Sequence, residues 1–307
     1  MRGKDHLYYL IHSLSKSEKR YFTLDAQKSG RKDSRYLELF RFINQQTAYD
    51  EKALKQKFGK KLADDKARLY EALLSSLRDY QSSKSFKTRV RELLTDAKIL
   101  FERKLYPQCE NRLSEAKALA LELEDHLAIL EINLIQRQLI KEYQNKNYKE
   151  EVEALIQEKD YHLGIIQQEL WLQDTYDRLS VDFLRFQNKL NASEINALVA
   201  NYSEVITFDI KDRSFLSLWR WYKIRSLYHL LKGDAKEAFK AVEQTAKLWE
   251  HYPKIQNDNY FLYISDVINL LAATSKDSEQ FHKLPVLIAN LKKDSPPSIQ
   301  AQQILFE

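Results

Sequence analysis

From about residue 90 onward, the apolar residues of this chain recur every three or four positions, in runs divided by short polar turns. That period puts them on one face of an α-helix, where a strand would need strict alternation. The pattern predicts paired helices at 90–104 with 108–124, 126–143 with 148–161, 164–189 with 193–206, 213–232 with 235–250, and 257–275 with 278–293. One break has a competing reading. Apolar spacing runs on past His162, Leu163 and Gly164 through Ile166, Leu170 and Tyr176, which also fits a single kinked helix of about forty residues. Second helices start near 108, 148, 193, 235 and 278, at intervals of 40, 45, 42 and 43. A steady period of this size marks helix pairs that stack on their neighbours. The expected fold is therefore all-α, an α-solenoid of about five helix pairs at 89–307, preceded by a small helical N-terminal domain at 1–88.

The N-terminal domain reads as four or five short helices. Ser15 and Glu18 form a capping box ahead of a helix whose apolar contacts come from Tyr21, Phe22 and Leu24. Asp33 or Ser34 caps a second helix that turns Tyr36, Leu37, Leu39, Phe40 and Ile43 inward. A third runs from about Asp50 to Gly59, and a fourth starts at Asp64 or Asp65 with Tyr70, Leu73, Leu74 and Leu77 on one face. The polar stretch Gln81 to Ser85 divides the two domains. Helix breakers are scarce: the chain has five glycines and five prolines, and none of the prolines falls in the 145 residues from Gln108 to Tyr252. Turns there rest on Asn147 with Glu150, Asn191 with Glu194, and Lys232-Gly233-Asp234. Pro107 suits a first helical turn, and Pro253 follows a helix that it cannot continue.

Two of the pairs resemble the tetratricopeptide repeat (TPR). In one, Leu93, Ala97 and Leu100 match its first helix, Tyr106 its turn aromatic, and Cys109, Leu113 and Ala116 the small-large-small positions of its second helix. In the other, Trp221, Ile224 and Tyr228 match the first helix, and Gly233, Ala238 and Val242 the turn and second helix. Asp96 and Thr245 stand where that pattern has leucine and alanine, Pro253 comes late, and the intervals exceed the repeat's usual 34 residues. The array is thus TPR-like, and the resemblance implies a surface that binds protein segments. Leu14 to Phe22 also resembles the opening of a group of uncharacterised bacterial helical-repeat proteins, which implies no activity.

Composition narrows the class. With 307 residues, 44% hydrophobic and 30% charged, the chain has the make-up of a folded globular protein. No apolar run approaches the roughly 18 to 20 residues that span a bilayer, and Met1 to His6 lacks a signal-peptide core, so the cytoplasm is the expected compartment. The net charge of +5 divides into +10 over residues 1–100 and −5 over the remainder. Cys109 is the only cysteine; it falls at a small, core-facing helix position and reads as inert.

Candidate chemistry is sparse. Glycines at 3, 30, 59, 164 and 233 are too dispersed for a phosphate-binding loop, and the seven histidines include no pair four apart. The clusters Glu150, Glu151, Glu153 and Glu122, Glu124, Asp125 read as solvated helix starts or polar faces. No cofactor or metal is expected, and no enzymatic activity. Trp219, Arg220, Tyr222 and Lys223, on the first helix of a pair, are candidate contacts for a protein segment on the concave face of the array. Lys55, Lys57, Lys60 and Lys61 are candidate nucleic-acid contacts, although Asp64 and Asp65 would repel phosphates. Ser295-Pro296-Pro297-Ser298 starts a last helix whose Ile299, Ile304, Leu305 and Phe306 need cover from the array, from a partner or from a continuation of the chain. The expectation is a non-enzymatic scaffold that binds a partner segment, with nucleic-acid or nucleoprotein binding through the basic N-terminal helices as the alternative.

Overall fold

The structure, a computed structural model, describes residues 5–28, 35–82, 85–143, 147–186, 191–210 and 213–273. Among them every regular element is a helix, and no helix is long and apolar enough to cross a membrane. The expected helix at 278–293, the apolar residues 299–306, Gly30 and the caps Asp33 and Ser34 lie outside the described residues. The chain divides into two compact units, one within residues 1–84 and the other within 85–282.

The first unit comprises α1 (His6–Ser13), α2 (Lys16–Lys28), α3 (Arg35–Gln45), α4 (Glu51–Phe58), a 3-10 turn at Gly59–Lys61, and α5 (Leu62–Ser82). Ile11, Phe22, Leu39, Phe40, Ile43, Leu54, Phe58, Leu69 and Leu73 fill its core. The capping box forms as the sequence suggests: the Ser15 amide donates to Glu18 Oε2 at 2.8 Å and the Glu18 amide to Ser15 Oγ at 3.2 Å. Asp50 caps α4 through the Ala53 amide, and Gly59 takes a positive φ of 66° at its end. Leu24 departs from expectation. It faces outward, 48% exposed, and Tyr21 is also exposed, while Phe22 and Ala26 are buried.

The second unit comprises α6 (Phe86–Glu102), α7 (Tyr106–Glu122), α8 (His126–Tyr143), α9 (Tyr148–Phe186), α10 (Ala192–Asn201), α11 (Ser203–Thr207), α12 (Phe215–Leu231), α13 (Ala235–Leu248), a 3-10 turn at Trp249–His251, α14 (Pro253–Asp258) and α15 (Tyr260–Ala273). Packing passes from each helix to the next through α6, α7, α8 and α9, then through α12, α13 and α15. Small residues make the close approaches possible: Ala97, Cys109, Ala116, Ala120 and Ala128 are fully buried between α6, α7 and α8. As at the sequence level, Asn191 and Glu194 form a capping box, at the start of α10.

Three helix turns share one backbone solution. After α6, α7 and α12 the chain puts Lys104 (φ 59°), Glu124 (φ 50°) and Gly233 (φ 75°) in the left-handed region. The next amide bonds back five residues in each case: Leu105 to Leu100, Asp125 to Ala120, and Asp234 to His229. This is the Schellman closure, which satisfies carbonyls that a helix end leaves open. Asp125 and Asp234 then cap the following helices through the amides of Ala128 and Glu237.

Two features correct the expected array. The break at 162–164 does not exist, for α9 is one helix of 39 residues in which Gly164 is an ordinary helical position. Its first half pairs with α8 and its second half with α12, so one helix serves two pairs. The second unit also joins elements far apart in sequence, which stacking on sequence neighbours does not supply. Asp258, at the end of α14, accepts from the amides of Phe86 and Lys87 at 3.0 and 2.7 Å and from Ser85 Oγ at 3.2 Å, a second cap on α6. Lys254 pairs with Glu122, and Phe215, Trp249 and Ile255 join the core of α6, α7 and α8. Pro253 opens α14 in its first turn.

Candidate functional site

A cleft of about 650 Å³ lies where the start of α7, the end of α8 and the start of α9 come together. Pro107, Glu110 and Leu113 line it from α7, Gln136, Leu139 and Ile140 from α8, and Glu151, Ala154 and Leu155 from α9. Each helix contributes residues three or four apart, the spacing of one helical face. Pro107 stands in the first turn of α7, where a missing N–H costs nothing. Ala154 is exposed and small, which leaves the α9 wall open.

The floor is held by polar side chains. Asn133, 1% exposed, donates to the Leu155 carbonyl at 2.8 Å and to Glu158 Oε2 at 3.0 Å, while Arg137 donates to the same carbonyl at 3.2 Å. Lys117 pairs with Glu158 at 2.6 Å. Farther along the same α8–α9 seam, the Nδ1 atoms of His126 and His162 are 2.9 Å apart, so one ring donates and the other accepts. Burial holds the His162 pKa below its ordinary value, against the pull of Glu158. Burial pushes Glu158 up, yet the Lys117 and Asn133 hydrogen bonds outweigh it and leave its carboxyl below the ordinary range. These contacts fix α9 to α8 and keep the cleft walls in place.

A second polar cluster surrounds the start of α12. Ser214 caps that helix by accepting from the Ser217 amide at 3.2 Å, and its hydroxyl donates to Glu169 at 2.7 Å. The Phe215 amide donates to Glu124. Burial raises both carboxyls above their ordinary range; the charge of Glu169 adds to the rise at Glu124, and the Phe215 and Ser214 hydrogen bonds oppose it. Perturbed carboxylates of this kind suit acid-base chemistry. Here each is committed to the N-terminus of α12, and neither lines the cleft. Among the described residues no group of three or more histidine, cysteine or acidic side chains could hold a metal ion.

The residues expected from sequence lie elsewhere. The Trp219 indole donates to Asp266 Oδ2 at 2.6 Å, Trp249 donates to the same oxygen at 2.9 Å, and Lys223 is ion-paired with Asp266, which is 2% exposed. Arg220 donates through Nε to Gln173 at 2.7 Å. Tyr222 is partly buried, with its ring 5.3 Å from that of Trp221. Thus three of the four, Trp219, Arg220 and Lys223, have polar groups committed to internal partners. In the first unit Lys55 pairs with Glu51 at 3.2 Å, and Lys57 with Glu38 at 3.0 Å while also facing the rings of Phe42 and Phe58. Lys60 and Lys61 are exposed on the 3-10 turn. Arg35 bonds both Asp65 and the Phe58 carbonyl, which gives the buried Asp65 carboxylate its partner. Cys109 is fully buried, and burial pushes its thiol pKa up.

The chain matches no protein-family model, no curated protein and no solved structure.

The cleft residues escaped the sequence reading because none is unusual for its helix. Pro107 marked the start of α7 in sequence and nothing about the cleft.

Proposed function

We propose that this chain is a cytoplasmic, non-enzymatic scaffold whose second unit binds a segment of a partner protein. The observation that carries the proposal is the cleft between α7, α8 and α9: about 650 Å³, lined by six apolar side chains together with Glu110, Gln136 and Glu151. A groove between helices accepts a short segment through apolar anchors, and affinity comes from a few such contacts. The repeated Schellman turns after α6, α7 and α12, and the buried small residues of α6 and α7, support a TPR-like reading of this unit.

Filling the cleft tests the proposal. Ala154 is exposed, so Ala154→Trp adds an indole to the cleft without disturbing the core. The expected outcome is that a protein recovered with the wild-type chain is lost with this variant, while helical content by circular dichroism is unchanged. Recovery of the same protein by both would refute the cleft as the binding site. Nucleic-acid binding led by the exposed Lys60 and Lys61 is the alternative, and charge reversal there would abolish a salt-sensitive gel shift.

A further inference from the structure

The seam between α8 and α9 carries buried polar and titratable side chains. His126, at the start of α8, and His162, on α9, are 7% and 4% exposed, and their Nδ1 atoms are 2.9 Å apart. Farther along, Asn133 and Arg137 both donate to the Leu155 carbonyl of α9, while Asn133 Oδ1 and Arg137 Nε are buried without hydrogen-bond partners. A seam of this kind depends on the hydrogen bonds that it keeps. Charged groups surround the histidine pair. Lys117 of α7 opposes a cation on the His162 ring and Glu158 of α9 favours one, and these two are themselves paired at 2.6 Å. The Tyr161 ring stands edge-on to that of His162 with centroids 5.1 Å apart. His126 lies in the first turn of α8, where the positive helix end opposes a charged ring, and the neighbouring Asp125 is paired with Arg91 of α6.

We infer that the His126–His162 pair is an acid-sensitive latch on the α8–α9 seam, which carries at most one positive charge while closed and opens when both rings are protonated. The neutral pair keeps one proton between the two Nδ1 atoms, and a further proton at an outer ring nitrogen leaves that hydrogen bond intact. Protonation of the second ring puts an N–H on both facing atoms. The bond is then lost, and two cations meet in a buried seam. Released to water, both rings take up protons in the ordinary histidine range, near pH 6.5. Below that range the open seam binds one proton more than the closed one, so acid favours opening. Burial of His162 acts in the same sense: with its folded value held below 6.5, the stability it supplies is complete above pH 6.5 and is lost as pH falls through the folded value. Because α8 and α9 supply two walls of the cleft, opening of the seam loosens it. Any effect on a bound segment rests on the segment-binding reading; the latch itself does not.

The test is hydrogen–deuterium exchange of the full-length chain, read by mass spectrometry at about pH 5 and pH 7.5 and corrected for the intrinsic pH dependence of exchange. The expected result is a fall in protection of about tenfold or more at the lower pH in α8 and the first half of α9, with α13 unchanged. Glu158, whose carboxyl is held below its ordinary range, stays ionised at both pH values and adds nothing to the difference. In the double variant His126→Gln, His162→Gln, two side-chain amides face each other across the seam without titrating, and the pH effect should disappear. Circular dichroism checks the fold; if the double variant unfolds, His162→Gln alone should reduce the effect by about threefold or more. Protection that is unchanged at pH 5 in the wild type, an equal fall in the glutamine variants, or a fall shared by α13 overturns the latch. The two readings fail separately: a partner retained by Ala154→Trp refutes the cleft and leaves the exchange result standing.

Discussion

At the scale of single residues, burial of charge is the most consequential feature of the second unit. Glu124 and Glu169 both sit against the start of α12, with Ser214 and the Phe215 amide as hydrogen-bond donors. Arg220 on α12, Lys87 on α6 and the Tyr252 hydroxyl supply the remaining electrostatic surroundings. Their folded pKa values are raised above the ordinary 4.5, with burial the largest cause. An acid raised in this way binds its proton more tightly in the folded state. Stability attached to it is therefore complete below pH 4.5 and declines as pH climbs through the raised folded value. His162 and Glu158, both held below their ordinary values, act in the opposite sense and lose stability as pH falls. A difference measurement separates the two. The unfolding free energy of wild type minus that of Glu169→Gln should be greatest near pH 4.5 and should shrink toward neutrality; a difference independent of pH would show that Glu169 is not held in this state.

At the scale of elements, helix identity was legible in sequence, while continuity at 162–164 stood between a break and one helix of about forty residues, and the structure has the second. Periodicity placed α8 and α12 closely, and the caps at Ser15, Asn191 and Asp234 fell where side-chain chemistry required them. Gly164 misled because glycine is the usual helix stop, whereas here it occupies an ordinary helical turn with nothing within 4 Å of an added Cβ. In the other direction, Lys104 and Glu124 hold left-handed turns that glycine normally marks, and nothing about a lysine or glutamate announces that conformation. The amides of Leu105 and Asp125 close those turns on the carbonyls of Leu100 and Ala120. The two glycines give opposite expectations. Gly164→Ala should stabilise the chain by about 0.5–1 kcal/mol, the usual gain inside a helix. Gly233→Ala should destabilise it by about 1–2 kcal/mol, since its φ is +75°. Denaturant unfolding measures both, and a destabilising Gly164→Ala would mean that α9 is broken after all.

At the scale of the molecule, the second unit is held by more than successive helix contacts. Asp258 caps α6 from about 170 residues away, and Trp249 and Ile255 complete the core begun by Val90 and Leu93. Sequence could not reveal this, because periodicity reports which face is buried and not which distant partner buries it. The same limit hid the site: the cleft is a juxtaposition of three helices whose residues are individually ordinary, while the conspicuous cluster at Trp219 and Lys223 turns onto Asp266. Asp258→Ala should speed amide hydrogen exchange at Phe86, Lys87 and the first turn of α6 while leaving α9 protected. Uniform exchange across the unit, or no change at α6, would show that the long-range cap does not hold the two ends together. The central claim, that the α7–α8–α9 cleft receives a partner segment, is tested most directly by placing a photoreactive amino acid at Ala154 in the living cell. The account predicts a covalent adduct with a discrete partner polypeptide at Ala154 and none at the exposed Glu71 of the first unit. Absence of an adduct at Ala154, or the same products at both positions, would contradict it.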